Sequence, residues 1–465
     1  MRGAHSDLGN AGHENAMSVA SCPIQTLRDE PMGTRQWLIV AICISILAMD
    51  GYDVLSIAFA APGMTAEWSL SKAALGIILP LELFGMALGA ICMGSLADAR
   101  GRRPTMLAGL LIVTAGMLVA GLAGNIYVLG ASRVFTGIGI GGLLATATAI
   151  SADYCNNKYR SVALVLVAGG FAFGVYAGAT FLAPLLKAFD WRVAFFLGAA
   201  LSAALVPLVY CFVPESISYL NRTRPKDALE KIQAIMSRLG HASARQLSPI
   251  SAQKMEPEGT ASLFKPGMIV TTCILVVAYF GTLATYYYFV KWLPTIATDL
   301  GYSASEATTV LGIISLGGVI GSIGMSIASR YVAIHPLMIC SLILAAVGVA
   351  LFPHFTGSLQ SMKLLGFFAG TFIFAGISGF FGLFAASFPS SVLGSGSGLV
   401  LGVGRGGAIL GPLIPGLLFS AGLHLNLIAV LMSSGALIAG VTVIWLLKRP
   451  GSGPRSVQSV APVSH

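Results

Sequence analysis

Apolar runs long enough to cross a bilayer recur along nearly the whole chain, separated by short breaks of charge, proline and glycine. A spanning helix needs about 20 predominantly apolar residues, so the pattern predicts a set of such helices rather than a water-facing fold. Six are predicted at 36–61, 73–97, 104–123, 126–152, 161–186 and 191–213. Six more are predicted at 267–293, 305–329, 335–354, 362–387, 397–420 and 425–447. The fold class is therefore an all-α membrane protein with twelve transmembrane helices in two six-helix bundles, 36–213 and 267–447. The polar stretch 214–266 between them carries Lys226, Asp227, Glu230 and Lys231 at helical spacing and reads as an amphipathic connector. Residues 1–35 have no apolar core before a small-residue cleavage site, so they read as a cytoplasmic tail rather than a signal peptide, and 448–465 read as a second tail.

Composition excludes water as the main solvent, because 56% of the 465 residues are hydrophobic and 10% charged, against about 25% charged in soluble domains. The net charge of +9 raises the question of nucleic acid, but the basic residues are dispersed among short loops, so nucleic acid is not an expected partner. Twenty Lys and Arg residues fall in the tails, the connector and the loops on one side, whereas Lys72, Lys187, Arg192, Lys291 and Lys363 are assigned to the other. That asymmetry predicts both termini and the connector in the cytoplasm. The seven cysteines stand singly, without the spacing of a disulfide framework or a metal site, and no metal or other cofactor is expected.

Two motifs now carry a resemblance. The turn between the second and third segments reads Gly94-Ser-Leu-Ala-Asp98-Ala-Arg100-Gly101-Arg102-Arg103, and the fourth segment carries Arg133-Val-Phe-Thr-Gly137-Ile-Gly139-Ile-Gly141-Gly142. Both resemble the major facilitator superfamily. Within it, Asp50-Gly51-Tyr52-Asp53, Gly402-Val-Gly404-Arg405-Gly-Gly-Ala-Ile-Leu-Gly411-Pro412 and Pro214-Glu215-Ser216 look like the aromatic acid:proton symporters. The resemblance covers about residues 36–447. It implies a pseudo-twofold bundle pair that imports a small aromatic carboxylate with protons across the bacterial cytoplasmic (inner) membrane by alternating access, as a monomer in the lipid bilayer. A non-aromatic organic acid or sugar acid is the alternative cargo; an antiporter or a membrane sensor on the same fold is more distant. The in-span polar residues do not assemble a nucleophile, a base and an orienting partner, so no enzymatic activity is expected.

The Arg-rich turn has a physical reading of its own. Anchored by one carboxylate, it can make charge-assisted bonds to helix ends in one conformation and lose them in another. Asp98, Arg100, Arg102 and Arg103 are thus expected to gate, together with Asp153 and Arg160 at the next turn on the same side. The superfamily places a basic residue directly after the Asp, where this chain has Ala99, and the corresponding turn of the second half, 324–330, has no acidic residue. Gly137-x-Gly139-x-x-Gly142 matches a dinucleotide-binding string, but no strand precedes it, and mid-span glycines allow close helix packing instead.

Five ionisable residues, Asp50, Asp53, Glu82, Arg133 and Arg405, fall inside predicted spans. Each costs at least a few kcal/mol near the bilayer centre unless paired or hydrated, which makes each a functional candidate. Asp50 and Asp53 are i, i+3 neighbours on one helix face, and Glu82 lies at a comparable depth. Carboxylates this close in a low-dielectric cavity are suited to bind and release a proton, with Arg133 as the neutralising cation. Arg405 lies near mid-span among Gly402, Gly404, Gly406 and Gly407, which are expected to leave open space around a fork of donors matched to a carboxylate. Tyr279, Phe280, Tyr286, Tyr287, Tyr288 and Trp292 crowd the seventh segment. Part of this set reads as an interfacial belt; Tyr279 and Phe280 lie too deep for one and, with Tyr286, are expected to line the substrate site.

Overall fold

A computed structural model describes residues 23–241, 247, 263–265, 268–389 and 392–447. A short α1 (Pro23–Asp29) precedes the first bundle, which consists of α2 (Thr34–Trp68), α3 (Lys72–Ile78), α4 (Leu81–Arg100), α5 (Arg102–Gly121), α6 (Ile126–Tyr154), α7 (Arg160–Ala188) and α8 (Val193–Phe212). The connector contributes α9 (Ile217–Thr223) and α10 (Ala228–Leu239). The second bundle is α11 (Ile269–Asp299), α12 (Ala304–Ala328), α13 (Ile334–Leu351), α14 (Leu359–Ser387), α15 (Leu393–Ser420) and α16 (Leu425–Leu447). α3 and α4 form one crossing interrupted at Pro80, so the described residues hold twelve helical crossings long and apolar enough for a membrane. α10 buries Ile232, Ile235, Met236 and Leu239 and leaves Lys231 and Asp227 on its outer side, paired at 2.7 Å, as an amphipathic connector should.

Two boundaries differ most from the expected ones. α2 runs on from 61 to Trp68 through Pro62 and Gly63, because Met64 is fully buried and Gly63 lies flat on Trp191, where a Cβ would stand 2.5 Å from the Trp191 Cβ. α11 runs on from 293 to Asp299 through Pro294, because Trp292, Leu293, Thr295, Ile296 and Ala297 are all buried, and the Trp292 indole donates to the Pro412 carbonyl at 2.9 Å. Lys291, near the end of the predicted span and counted among the far-side basic residues, is therefore more than a turn inside the helix and wholly buried. Its removal from the far-side basic residues widens the charge asymmetry.

The mid-span glycines set how closely helices approach. A Cβ at Gly137 on α6 would stand 2.1 Å from the Glu82 carbonyl of α4, and one at Gly141 would stand 2.4 Å from that of Met86. α4 and α6 consequently touch backbone to backbone, which places Glu82 beside Arg133, one turn before Gly137. The two bundles meet at the end remote from the connector. Lys72 pairs there with Asp299, the Ser305 hydroxyl donates to the Ala183 carbonyl at 2.7 Å, and a Cβ on Gly76 would stand 2.8 Å from the Gly416 Cα. Toward the connector end, Gly398 and Gly402 on α15 face open space. The structure is thus closed at the far end.

Candidate functional site

Arg133 is the fixed point of the buried charge cluster. α6 carries it into the first bundle, where one guanidinium nitrogen lies 3.0 Å from the Asp53 carboxylate, 3.3 Å from the Ser56 hydroxyl and 3.6 Å from the Glu82 carboxylate. The other donates to the Thr136 hydroxyl at 3.0 Å and to the Met117 sulfur at 3.1 Å, and the group lies 4.9 Å from the centre of the Phe195 ring. Asp53, Glu82 and Arg133 are all completely buried, so their charges interact through protein rather than water. One guanidinium does not satisfy both acids. Asp53 Oδ2, both Glu82 carboxylate oxygens and Asp50 Oδ1 have no hydrogen-bond partner among the described residues. Leaving an ionised carboxylate buried and unsatisfied costs several kcal/mol; a bound proton removes the charge, and a water or a ligand would supply a donor.

Lys291 joins this cluster from the second bundle. Its ammonium donates to the Val54 carbonyl of α2, the residue after Asp53, and stands more than 4 Å from the Asp53 and Glu82 carboxylate oxygens, close enough for their charges to be felt. Sequence reading left it out of the in-span charges because it stands at the end of the segment predicted at 267–293. The available signal was the continuing run of apolar residues after it, together with the i, i+4 spacing from Tyr287.

Arg405 is half-buried on α15 and donates to the Met86 carbonyl of α4 at 3.2 Å, spanning the gap between the bundles. Its charge acts on Asp50, Tyr279 and Tyr287. The glycines around it behave differently from the expectation: only Gly402 of the four meets open space, whereas Gly404 lies against the Tyr279 ring, and Gly406 and Gly407 lie on Phe280. They serve to seat α15 on α11, and that contact is what brings Arg405 beside Tyr279. Tyr279 is held edge-on by Phe380 at 5.0 Å and Phe384 at 6.2 Å. Phe280 is half-buried against α15. Tyr286, two turns further along the same face, also meets α14, edge-on to Phe374 at 5.0 Å, and lies edge-on to Tyr287 at 4.8 Å; its hydroxyl has no partner among the described residues. Tyr287, whose environment includes Asp50, Arg405 and Glu82, is the tyrosine that faces the charges.

The structure also rearranges the expected gate. Asp98 is not the anchor of the Arg-rich turn in this conformation: its side chain is 76% exposed and pairs with Arg222 at 3.0 Å. The anchors are Asp153 and Glu215. Asp153 accepts from Arg102 at 2.5 Å and from Ser218 at 2.9 Å, and it also accepts from Ser216. Glu215 accepts the backbone N–H groups of Arg102 at 2.9 Å and Arg103 at 3.3 Å, and so caps the start of α5. Arg103 donates to the Tyr210 carbonyl at 2.5 Å, Arg100 is exposed, and Arg160 opens α7 in a small crevice with Arg28 and Asp153. Gly101 makes the turn possible, since its φ is +105° and a Cβ would stand 2.2 Å from Glu215 Oε2. Gly101→Ala is accordingly expected to lower stability by about 1–3 kcal/mol, whereas Asp98→Asn should change it by less than about 1 kcal/mol. Thermal unfolding of the two detergent-purified variants would check this, and equal melting points would refute the assignment of Glu215 and Gly101 as the anchored pair.

A separate cavity of about 340 Å³ between α7 and α12, lined by Tyr176, Thr180, Lys187 and Thr309 among others, contains none of the predicted site residues. Among the described residues there is no cluster of His, Cys, Asp or Glu that could hold a metal ion, and the six described cysteines are unpaired thiols.

Twelve crossings in two bundles that meet at one end, with buried charges near their boundary, have the architecture of a membrane solute carrier. The sequence profile of the Major Facilitator Superfamily matches residues 40–336 and 292–462, and the chain belongs to that family. It is a multi-pass membrane transporter and not an enzyme. The chain is 30% identical over 420 residues to a gallate transporter of Pseudomonas putida, covering 90% of this chain and 93% of that one. It is 28% identical over 417 residues to the 4-hydroxybenzoate transporter PcaK of Pseudomonas aeruginosa, covering 89% of this chain and 93% of that one. Among solved structures, it is similar to the proton:xylose symporter XylE with a TM-score of 0.64 and 16% identity, over 89% of this chain and 96% of that one; this likeness bears on the fold alone.

Proposed function

We propose that the protein is a proton-coupled symporter that imports a small aromatic carboxylate across the bacterial inner membrane, as a monomer with both termini in the cytoplasm. The observation that carries the reading is the pairing of two unlike features at the bundle boundary. One is a guanidinium, Arg405, that reaches the gap between the bundles beside Tyr279. The other is a set of buried carboxylates, Asp50, Asp53 and Glu82, with oxygens left unsatisfied. The first suits an organic acid, and the neighbouring ring of Tyr279 suits a flat aromatic one. The second suits a proton. The aromatic acids named for the relatives agree with that cargo.

The coupling arithmetic gives the reading quantitative content. A charge crossing about 100 mV gains about 2.3 kcal/mol. A monoanion accompanied by one proton carries no net charge, so the pH gradient alone drives it. Uptake of labelled 4-hydroxybenzoate or gallate into proteoliposomes is therefore expected to follow an inward proton gradient, to collapse with a protonophore and to be indifferent to membrane potential at one proton per anion. Accumulation of aliphatic or sugar acids with no uptake of aromatic ones would overturn the aromatic assignment; accumulation unaffected by the protonophore would overturn the coupling.

A further inference from the structure

Asp53 on α2, Glu82 on α4 and Arg133 on α6 belong to one bundle and bring two carboxylates and one guanidinium into a wholly buried space. When both acids are ionised, one more positive charge is needed for neutrality. Lys291 is also wholly buried, but it stands on the other bundle and reaches across to the Val54 carbonyl, beside those same three groups. The other helices packed on α11 offer it little competition. α15 carries Arg405, α16 has no charged residue, α12 has only Glu306 in its first turn at the far end, α13 has only His335, α14 has only Lys363, and Asp50 of α2 is set against Arg405 and Asp53. A buried ammonium needs carboxylates, and these are the ones that face it.

We infer that Lys291 and the transported proton alternate as the counter-charge of the Asp53–Glu82–Arg133 trio. Lys291 serves while the far end is closed, as in this structure, and a proton serves when the far end opens and α11 swings away. The inference rests on the proton-coupled reading above. Because Lys291 is fixed to one bundle and the trio to the other, a rocking motion that parts Lys72 from Asp299 also draws Lys291 away from Val54. On opening, one carboxylate of the trio is left without a cation and takes a proton from water on the far side. On closing, the ammonium returns, and that carboxyl O–H gives its proton to water on the connector side, leaving a carboxylate opposed by Lys291. Only an O–H bond forms or breaks in each step; the protonated trio is neutral by itself, and the deprotonated trio carries one negative charge that the Lys291 ammonium balances.

The test needs no substrate. Thr295 lies one turn beyond Lys291 on α11 and is 2% exposed, with its hydroxyl unpartnered, so Thr295→Cys in a chain with the native cysteines replaced reports opening of the far end. Labelling by an impermeant thiol reagent, corrected for thiol reactivity with an exposed control cysteine, is expected to rise up to about tenfold per unit fall in pH while Lys291 is present, as a one-proton linkage requires. In Lys291→Met the closed state needs the proton too, so the response should shrink to within about twofold, and pH-driven accumulation should vanish while exchange of labelled for unlabelled substrate persists. Lys291→Arg keeps the charge and should keep the response. A Lys291→Met protein with the full wild-type pH response would overturn the inference, as would a Lys291→Arg protein that loses it as completely as Lys291→Met does. If the labelling behaves as expected and no aromatic carboxylate accumulates, the cargo assignment fails and the counter-charge exchange stands.

Discussion

Replacing Arg405 with alanine is expected to weaken binding of carboxylate ligands at least a hundredfold, about 3 kcal/mol, while the protein still folds. In the closed-far-end conformation the guanidinium spends one hydrogen bond on the Met86 carbonyl, at 3.2 Å, and is only half-buried. The rest of its five-donor fork is available to a ligand entering from the connector end. The seat is rigid, because Gly404 and Gly407 lock α15 onto α11, with Tyr279 wedged between Gly404 and the α14 rings. Arg405→Lys keeps the charge and loses the planar fork, so a loss of roughly tenfold is expected. Calorimetry on detergent-purified protein, with 4-hydroxybenzoate as the ligand, separates these cases. Near wild-type affinity in Arg405→Ala would remove Arg405 from the binding site.

Asp53→Asn is expected to abolish uphill uptake, bringing the accumulation ratio to about one, while exchange stays within about tenfold of wild type. Asp53 is the carboxylate nearest Arg133, at 3.0 Å, and Glu82 follows at 3.6 Å. With asparagine at 53, Glu82 alone balances Arg133, so no proton is taken up when Lys291 moves away, and the returning ammonium finds no carboxyl group to deprotonate. The fold should survive, since the amide oxygen can still accept from Arg133. Removing both acids would strand a buried guanidinium at a cost of about 3–5 kcal/mol. Full accumulation in Asp53→Asn would shift the proton to Asp50 or Glu82.

Much of the architecture was legible in the residues. A span is recognised by a local, additive property, the transfer of about 20 side chains into hydrocarbon, and this is why twelve apolar runs correspond to twelve crossings. The same locality made Asp50, Asp53, Glu82, Arg133 and Arg405 conspicuous, because a charge in an apolar run is anomalous wherever the helix happens to pack. The failures are of another kind. Lys291 was counted with the far-side basic residues because it stands at the end of the span predicted at 267–293; burial of Trp292 through Ala297 against other helices carried α11 past that end. Tyr286 and Tyr287 are adjacent and chemically identical, yet about 100° of helical rotation points one at Phe374 and the other toward Asp50 and Arg405. Asp98 sits inside the gate motif, but the charges that hold the turn in this conformation are Asp153 and Glu215, which depend on where the chain returns after α8. The amino-acid sequence by itself determined that the chain spans a membrane twelve times and that Asp50, Asp53, Glu82, Arg133 and Arg405 lie inside the spans. Only the tertiary structure decided which of those charges face one another, because Coulomb energy and hydrogen bonding depend on distances between helices that no single helix encodes.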